Sequence, residues 1–112
     1  MNRGEIWSVN LDPTIGAEIK KTRPAVIVSD NSVGLLPLRV IVPVTDWKPH
    51  YGAAVWMVKL EPNVMNLLTK LSAVDCFQVR SVSQTRFVKK IGEVSEDEMK
   101  EIEQALSAVL HL

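Results

Sequence analysis

The chain has 112 residues, of which 46% are hydrophobic and 23% are charged, a composition typical of a soluble globular protein. A chain of this length buries about two thirds of its extended-chain surface, so we expect residues 1–112 to form a single domain. No apolar run approaches the ~20 residues of a membrane span, and the opening MNRGEIW lacks the apolar core of a secretory signal. One cysteine, Cys76, excludes an internal disulfide, and two scattered histidines give no zinc spacing. We therefore expect a cytoplasmic protein that needs no metal or other cofactor.

The net charge of zero conceals an uneven distribution along the chain. Residues 1–92 hold 12 Lys and Arg against 7 Asp and Glu, whereas residues 93–112 hold one Lys against six acids. A basic body is thus balanced by an acidic tail. Because surface fields follow local charge rather than net charge, the body is compatible with a phosphate-bearing ligand but does not establish one.

Short apolar runs and alternating patterns predict strands over most of the chain. The predicted strands are residues 4–11, 23–29, 38–45, 53–60 and 71–82, with a last strand late in the segment 83–94. Pro43 interrupts the third strand near its end and predicts a sheet edge or a bulge there. The polar connection at 12–22 is long, and such loops are often functional.

The C-terminal segment predicts one helix. Ser95 and Glu98 have the spacing of a capping box, and Glu96 and Asp97 suit the positive end of the helix dipole. The apolar stripe at helical spacing comprises Met99, Ile102, Leu106, Val109 and Leu110. We therefore expect a mainly β protein, a small barrel of five or six strands with a C-terminal α-helix packed on it.

Three cations, Lys20, Lys21 and Arg23, directly precede the apolar run Ala25–Val28. Pro24 fixes its own φ and favours an extended conformation at Arg23, so a strand buried on both faces is expected to begin here. A rigid strand end can aim a guanidinium at a ligand, whereas a solvated loop end is the simpler alternative.

Further polar residues occur at the ends of other predicted strands. Thr45 ends the third strand, and Gln78 and Arg80 occupy alternate positions late in the fifth. Strict alternation would place Gln78 and Arg80 on one face, and Asp75 and Phe77 on the other. Ordinary hydrogen bonding within a sheet is the alternative role for each polar residue.

Four motifs follow one another along the chain. They are G-E-I-W-x-V-x-L-D-P-T at the first strand, K-x-R-P before the second, P-V-T at the end of the third, and Q-V-R-S-V in the fifth. Each motif is weak alone, but with the helix that begins at SEDEM they cover nearly the whole chain in order. In this respect the sequence resembles the MazF/PemK family of ribosome-independent endoribonuclease toxins. The resemblance implies an SH3-like barrel, usually a homodimer, that cuts single-stranded RNA at short sequences without a metal.

The resemblance also implies roles for the polar residues. Metal-free RNA cleavage uses the 2′-hydroxyl as an internal nucleophile, so the protein stabilises charge on the phosphorane and moves protons. Arg23 suits the first task because its planar fork matches phosphate oxygens. Thr45 would donate to the scissile phosphate, and Gln78 would orient Arg23 or a base. The residues expected to bind RNA are Lys20, Lys21, Arg80, Phe77 and Trp47, the two aromatic residues by stacking.

Two positions depart from the pattern of the family. Ala17 stands where some members carry His, and Phe77 stands where some carry Asp or Glu. The remaining acid or base candidates are Asp75, Glu18 and His50, and the choice among them stays open.

Two other functions remain compatible with the sequence. One is a non-enzymatic toxin that resembles the CcdB gyrase poisons. The other is a barrel that binds RNA or a partner but has lost cleavage, as Ala17 and Phe77 permit. The resemblance further implies a cognate antitoxin whose acidic, partly disordered tail occupies the RNA groove, with apolar side chains near Trp47 and Phe77.

Overall fold

The computed structural model describes residues 1–112 as an antiparallel sheet followed by one helix. The strands are β1 (Glu5–Asn10), β2 (Thr22–Ile27), β3 (Leu38–Asp46), β4 (Met57–Leu60), β5 (Ser72–Asp75), β6 (Arg80–Ser83) and β7 (Phe87–Glu93), and helix α1 is Glu96–Leu110. They pair in the order β4-β5-β3-β2-β1-β7, and β6 pairs with β3 as well. The mainly β, barrel-like fold with a C-terminal helix is confirmed, with seven strands instead of five or six, although β4 and β7 do not pair to close the sheet.

The predicted strand at 71–82 is interrupted, and the prediction of a continuous alternation there was wrong. A short 3₁₀ turn, Cys76–Gln78, separates β5 from β6. The turn forms because the Asp75 carboxylate accepts the N–H of Phe77 at its start. As a result, Asp75 and Gln78 lie side by side instead of on opposite faces.

The predicted strand at 53–60 is also shorter in the structure. Pro49 begins a 3₁₀ turn that continues to Ala53, and β4 begins only at Met57. The fixed φ of proline suits this first position, where no N–H is needed.

Pro43 lies in the middle of the sheet, so of the two predicted alternatives, a sheet edge or a bulge, the edge was wrong. It pairs with Ala25 on one side of β3. On the other side, β6 pairs with β3 as far as Ile41, and β5 pairs from Val44 onwards. A residue without an N–H is tolerated here because it falls where one neighbouring strand replaces the other.

Two apolar clusters fill the interior. The larger one receives Ile102 and Ala105 from α1, which begins with the predicted capping box at Ser95. Leu110 of the predicted stripe is exposed, since the helix ends there. The smaller cluster contains Val9, Leu11, Ala25, Ile27, Ile41 and Val82. No helix of the structure combines the length and apolar character needed to span a membrane.

Candidate active site

Arg23 and Thr45 lie at the same end of two neighbouring strands. The β2–β3 register pairs Ala25 with Pro43, so the same register continued by two residues brings Arg23 opposite Thr45. Alternation gives both side chains the face of the sheet that carries Ile41 and the smaller cluster. Both residues are half-buried, and the Nε of Arg23 donates to the carbonyl of Lys20 at 3.4 Å.

Arg80 shares this face. It begins β6 and pairs with Ile41 of β3, so its side chain lies on the same side of the sheet as Ile41. Its Nη1 donates to the carbonyl of Leu11 at 3.2 Å, where β1 leads into the connection to β2. The guanidinium therefore anchors the chain as it leaves β1 and keeps its other N–H groups for a ligand.

A cleft of about 470 Å³ opens beside these strand ends. The residues that line it are Leu11, Ala17, Glu18, Ile19, Pro43, Phe77, Gln78, Val79 and Arg80. Four of the residues predicted from the sequence are thus brought together from positions far apart in the chain. Phe77 is the one aromatic residue that lines the cleft, and 64% of its surface is accessible.

Gln78 connects the 3₁₀ turn to the connection between β1 and β2, which we call the β1–β2 loop (residues 11–21). Its Oε1 accepts the N–H of Ile19 at 2.6 Å. Its Nε2 donates to the carbonyl of Ala17 and to Oδ2 of Asp75, each at 3.3 Å. Both hydrogens of the amide group therefore take part in hydrogen bonds. Together with the bond from Ile19 they hold the loop over the cleft.

Asp75 is buried beneath Gln78, with 6% of its surface exposed. Burial raises the pKa of its carboxyl group, and the hydrogen bonds from Phe77 and Gln78 offset this only in part. The carboxylate has two oxygens and each accepts a different donor, Oδ1 from the N–H of Phe77 at 3.1 Å and Oδ2 from Gln78.

The remaining predicted residues of the β1–β2 loop have local roles. Glu18 uses Oε1 to accept the N–H of Ile15 at 2.6 Å, which closes a turn inside the loop. Lys20 and Lys21 are exposed, and Lys21 has a φ of 70°. Its N–H donates to Oδ1 of Asp12 at 3.1 Å, which ties the two ends of the loop together.

Trp47 and His50 do not line the cleft. They belong to the segment between β3 and β4, where Tyr51 packs edge-on against both rings at centroid distances of 5.9 Å and 4.7 Å. The Nζ of Lys59 lies 5.3 Å from the centre of the Trp47 ring, a cation–π arrangement. These residues form a second group, separate from the cleft residues.

Two residues near the site were missed in the sequence. Trp56 packs edge-on against Phe77 at 5.9 Å, which extends the aromatic surface beyond the cleft. Arg86 donates to the carbonyls of Asn10 and Asp12, where β1 ends and the β1–β2 loop begins. Arg86 directly precedes β7, and Arg23 is the second residue of β2, so a cation at the start of a strand was the signal in the sequence for both residues.

No three His, Cys, Asp or Glu side chains lie close enough together to hold a metal ion. Cys76 is buried, and burial, with the charge of Asp75, raises the pKa of its thiol to about 12. A thiol of this kind stays protonated at neutral pH and is a poor nucleophile.

Comparison with known proteins identifies the family of the chain. Residues 2–110 match the family described as PemK-like, MazF-like toxin of type II toxin–antitoxin system. Endoribonuclease MazF9 of Mycobacterium tuberculosis is 35% identical over 122 residues, which cover 100% of this chain and 96% of that protein. Endoribonuclease PemK of Escherichia coli is 39% identical over 114 residues, which cover 98% and 82%.

Solved structures show the same fold. MazF of Deinococcus radiodurans superposes with a TM-score of 0.84 at 23% identity, covering 100% of this chain and 97% of that one. A mycobacterial endoribonuclease in complex with its cognate antitoxin gives a TM-score of 0.80 at 21% identity, covering 100% and 96%. The family match spans nearly the whole chain, and the chain therefore belongs to the PemK-like, MazF-like toxins of type II toxin–antitoxin systems.

Proposed function

We propose that the protein is the toxin of a type II toxin–antitoxin system and acts as an endoribonuclease on single-stranded RNA. Cleavage proceeds by attack of the 2′-hydroxyl on the adjacent phosphate and requires no metal. It leaves a 2′,3′-cyclic phosphate and a 5′-hydroxyl. The endoribonuclease names of both relatives support the activity, and the nucleophile is supplied by the substrate itself.

One observation carries this proposal: Arg23 and Thr45 lie at adjacent strand ends, on one face of the sheet. In this arrangement the Arg23 guanidinium stabilises the negative charge that builds on the phosphorane oxygens, and the Thr45 hydroxyl donates a second hydrogen bond. Both residues extend from strands whose inner parts are fully buried, so their positions are rigid. Gln78 contributes by holding the β1–β2 loop, and with it the surroundings of Arg23, in place.

The proton transfers have three candidates. Glu18 lines the cleft and is exposed, although its carboxylate closes a turn of the loop. Asp75 is buried beneath Gln78, and His50 lies in the separate aromatic group. Of the three, Glu18 has the most direct access to an RNA in the cleft, and we propose it as the first residue to test.

RNA enters along the basic side of the cleft. Lys20 and Lys21 attract the phosphate backbone, and Arg80 contacts it beside the cleft. Phe77, together with Trp56, stacks one unpaired base, and Trp47 can stack a second. We further propose that the protein acts in the cytoplasm as a homodimer, and that a cognate antitoxin inhibits it through an acidic tail.

The experiment is incubation of the pure protein with a long single-stranded RNA in the presence of EDTA, followed by mapping of the ends. We expect cuts at a short motif, and we expect none with Arg23→Ala protein purified in the same way. This variant is the matched control because it reveals any contaminating nuclease. An RNA with 2′-deoxyribose at the cut site should resist cleavage.

Three results would contradict the proposal. Equal cutting of the deoxy-substituted RNA would exclude the internal nucleophile. Intact RNA together with inhibition of gyrase supercoiling would assign the protein to the gyrase poisons. Tight RNA binding without cleavage by the wild-type protein would show a barrel that binds but does not cut.

A further inference from the structure

A chain of hydrogen bonds runs from the buried Asp75 through Gln78 to the main chain of the β1–β2 loop. Asp75 accepts from Gln78, Gln78 accepts from Ile19 at 2.6 Å, and Gln78 also donates to Ala17. The proposed function uses Asp75 only as one of three acid or base candidates. Its near-complete burial and its two bound donors call for a different role.

Asp75, together with the main chain of Ile19 and Ala17, determines which way the Gln78 amide faces. A glutamine amide can be placed in two orientations that differ by exchange of oxygen and nitrogen. Because the Oδ2 of Asp75 is an acceptor only, the Nε2 end must face it, and the Oε1 end is left for the N–H of Ile19. A flipped amide would bring a donor against a donor at Ile19 and an acceptor against an acceptor at Asp75.

The loop that Gln78 holds contributes directly to the strand-end site. Ile19 packs against the smaller apolar cluster, and the next residue, Lys20, accepts the hydrogen bond from Nε of Arg23. The position of the loop therefore influences the direction of the Arg23 guanidinium. A small shift of such a group is enough to lower a cleavage rate.

We propose that Asp75 is a positioning residue for RNA cleavage: through Gln78 it holds the β1–β2 loop over the cleft, and through Lys20 it sets the place of Arg23. This inference rests on the proposed function for its effect on cleavage. The hydrogen-bond chain itself is a property of the free protein and can be tested without RNA.

The first test measures hydrogen exchange of the Ile19 amide by NMR in the wild-type protein and three variants. Asp75→Asn offers one acceptor where the carboxylate offers two, so either Phe77 or Gln78 loses its partner. Gln78→Glu places a second carboxylate against Asp75. We expect the Ile19 amide to exchange roughly tenfold faster in each single variant, because the loss of a buried hydrogen bond favours local opening.

The double variant Asp75→Asn with Gln78→Glu exchanges the two groups. In this variant the direction of the hydrogen bond between the two side chains is reversed. The NH₂ group of the new amide at position 75 donates to the new carboxylate at position 78. The other oxygen of that carboxylate can again accept from Ile19, and only the carbonyl of Ala17 lacks a donor. We therefore expect Ile19 exchange in the double variant to be slower than in either single variant.

Cleavage kinetics provide the second test. We expect kcat/KM to fall about tenfold in each single variant and to recover in the double variant, with the same pH profile as the wild type. If Asp75 were the general base, Asp75→Asn would lose a ~10²–10⁴-fold rate contribution, and a carboxylate moved to position 78 would act as a base only with a different pH profile. Recovery with the pH profile of the wild type thus separates positioning from proton transfer.

The matched controls lie on the exposed side of α1. Glu101→Gln removes a carboxylate and Gln104→Glu adds one, and both residues are exposed. Both should leave Ile19 exchange and cleavage unchanged. If Asp75→Asn fails to fold, Gln78→Ala at a half-buried position tests the same hydrogen bond to Ile19.

The inference is overturned if Ile19 exchanges at the wild-type rate in Asp75→Asn, or if the double variant is as impaired as the two single variants combined. Failure of the proposed function has a different signature, since the wild-type protein would then leave RNA intact while the exchange pattern stayed as expected.

Discussion

Arg23 combines a fixed charge with a planar fork of N–H groups, and these two properties can be separated by substitution. Arg23→Lys keeps the charge but loses the planar fork that matches phosphate oxygens. We expect its cleavage rate to fall nearly as far as that of Arg23→Ala, by ~10²–10³-fold, the usual loss when one charge-stabilising donor is removed. Single-turnover cleavage of an RNA that contains one site is the measurement.

Lys20→Ala and Lys21→Ala are the comparison variants for this prediction. They remove exposed charges, so RNA binding should weaken and its salt dependence should flatten, with a smaller change in turnover. Full activity in Arg23→Lys would mean that Arg23 only tethers phosphate.

Glu5 is a second residue whose charge has a testable effect, in this case on the unfolding free energy. Burial alone would raise the pKa of Glu5, but hydrogen bonds from Trp7, Asn2 and Lys90 outweigh it and lower the pKa to about 2. A folded pKa below the unfolded value contributes stability that is present above the ordinary carboxyl pKa of 4.5 and is lost as the pH falls towards 2.

We therefore expect the unfolding free energy of the wild type to decrease more steeply than that of Glu5→Gln between pH about 4.5 and about 2. Urea unfolding at a series of pH values measures this slope. Parallel curves for the two proteins would show that the contacts of Glu5 contribute little to the pH dependence of the unfolding free energy. Glu61→Gln is a suitable control, since Glu61 is an exposed carboxylate.

The residue types at the strand ends and in the cleft beside them could be predicted from sequence, but their contacts could not. Arg23 and Thr45 were visible because a proline and a buried run mark the strand ends. The contact between Asp75 and Gln78 was hidden because a three-residue turn, closed by one side-chain hydrogen bond, reverses the alternation on which the sequence argument relied. Likewise, Glu18 was visible as a carboxylate but not as a group that closes a turn.

Among the elements, β7 depends on close contact with the segment that follows β4. Gly92 of β7 leaves room for this segment, since a Cβ there would lie 2.5 Å from the carbonyl oxygen of Asn66 and 2.6 Å from that of Met65. Gly92→Ala must push main-chain atoms apart, and we expect it to lower the unfolding free energy by about 1–3 kcal/mol. Urea unfolding measures the effect.

Gly52→Ala is the matched control because a Cβ at Gly52 would meet no atom within 4 Å. Its effect should stay within about 0.5 kcal/mol. Equal stability of the two variants would show that the segment around Asn66 moves freely away from β7.

The helix and most strands were predictable because their signals are local. The capping box at Ser95 and the alternation in β1 depend only on neighbouring residues. The place of Pro43 was not predictable in the same way. Proline excludes a continuous ladder on both sides, but only the tertiary structure shows that β5 ends and β6 begins beside it.

For the whole molecule, the separation of charge along the chain becomes a separation on the surface. The acids of the C-terminal segment are mainly on the exposed side of α1, and Glu103 pairs with Arg3 at 2.6 Å. The strand-end face keeps Lys20, Lys21, Arg23 and Arg80 without carboxylate partners in ion pairs. One basic surface can therefore accept phosphates or carboxylates.

We expect RNA and the acidic segment of a cognate antitoxin to compete for this surface. The test titrates the acidic C-terminal peptide of a cognate antitoxin against labelled RNA, with a cleavage-deficient Arg23→Ala protein in parallel. The apparent Kd for RNA should rise in proportion to the peptide concentration. The control peptide has Asn and Gln in place of its acids and should compete far less.

Simultaneous binding of RNA and peptide, with cleavage untouched, would contradict a shared site. A weakening of both interactions by Lys20→Ala would support it, because the same charge would then serve both ligands.

The hydrogen bonds from Gln78 to the β1–β2 loop have a consequence for the amino-acid substitutions that this loop tolerates. Gln78 contacts a main-chain N–H and a main-chain carbonyl, at Ile19 and Ala17, and every residue except proline offers both groups. The side chain at position 17 is therefore free to change without loosening the loop. If the proposed function holds, a toxin built in this way can acquire new side chains above the cleft, and with them a new preferred RNA sequence, while the strands that carry Arg23 and Thr45 stay the same.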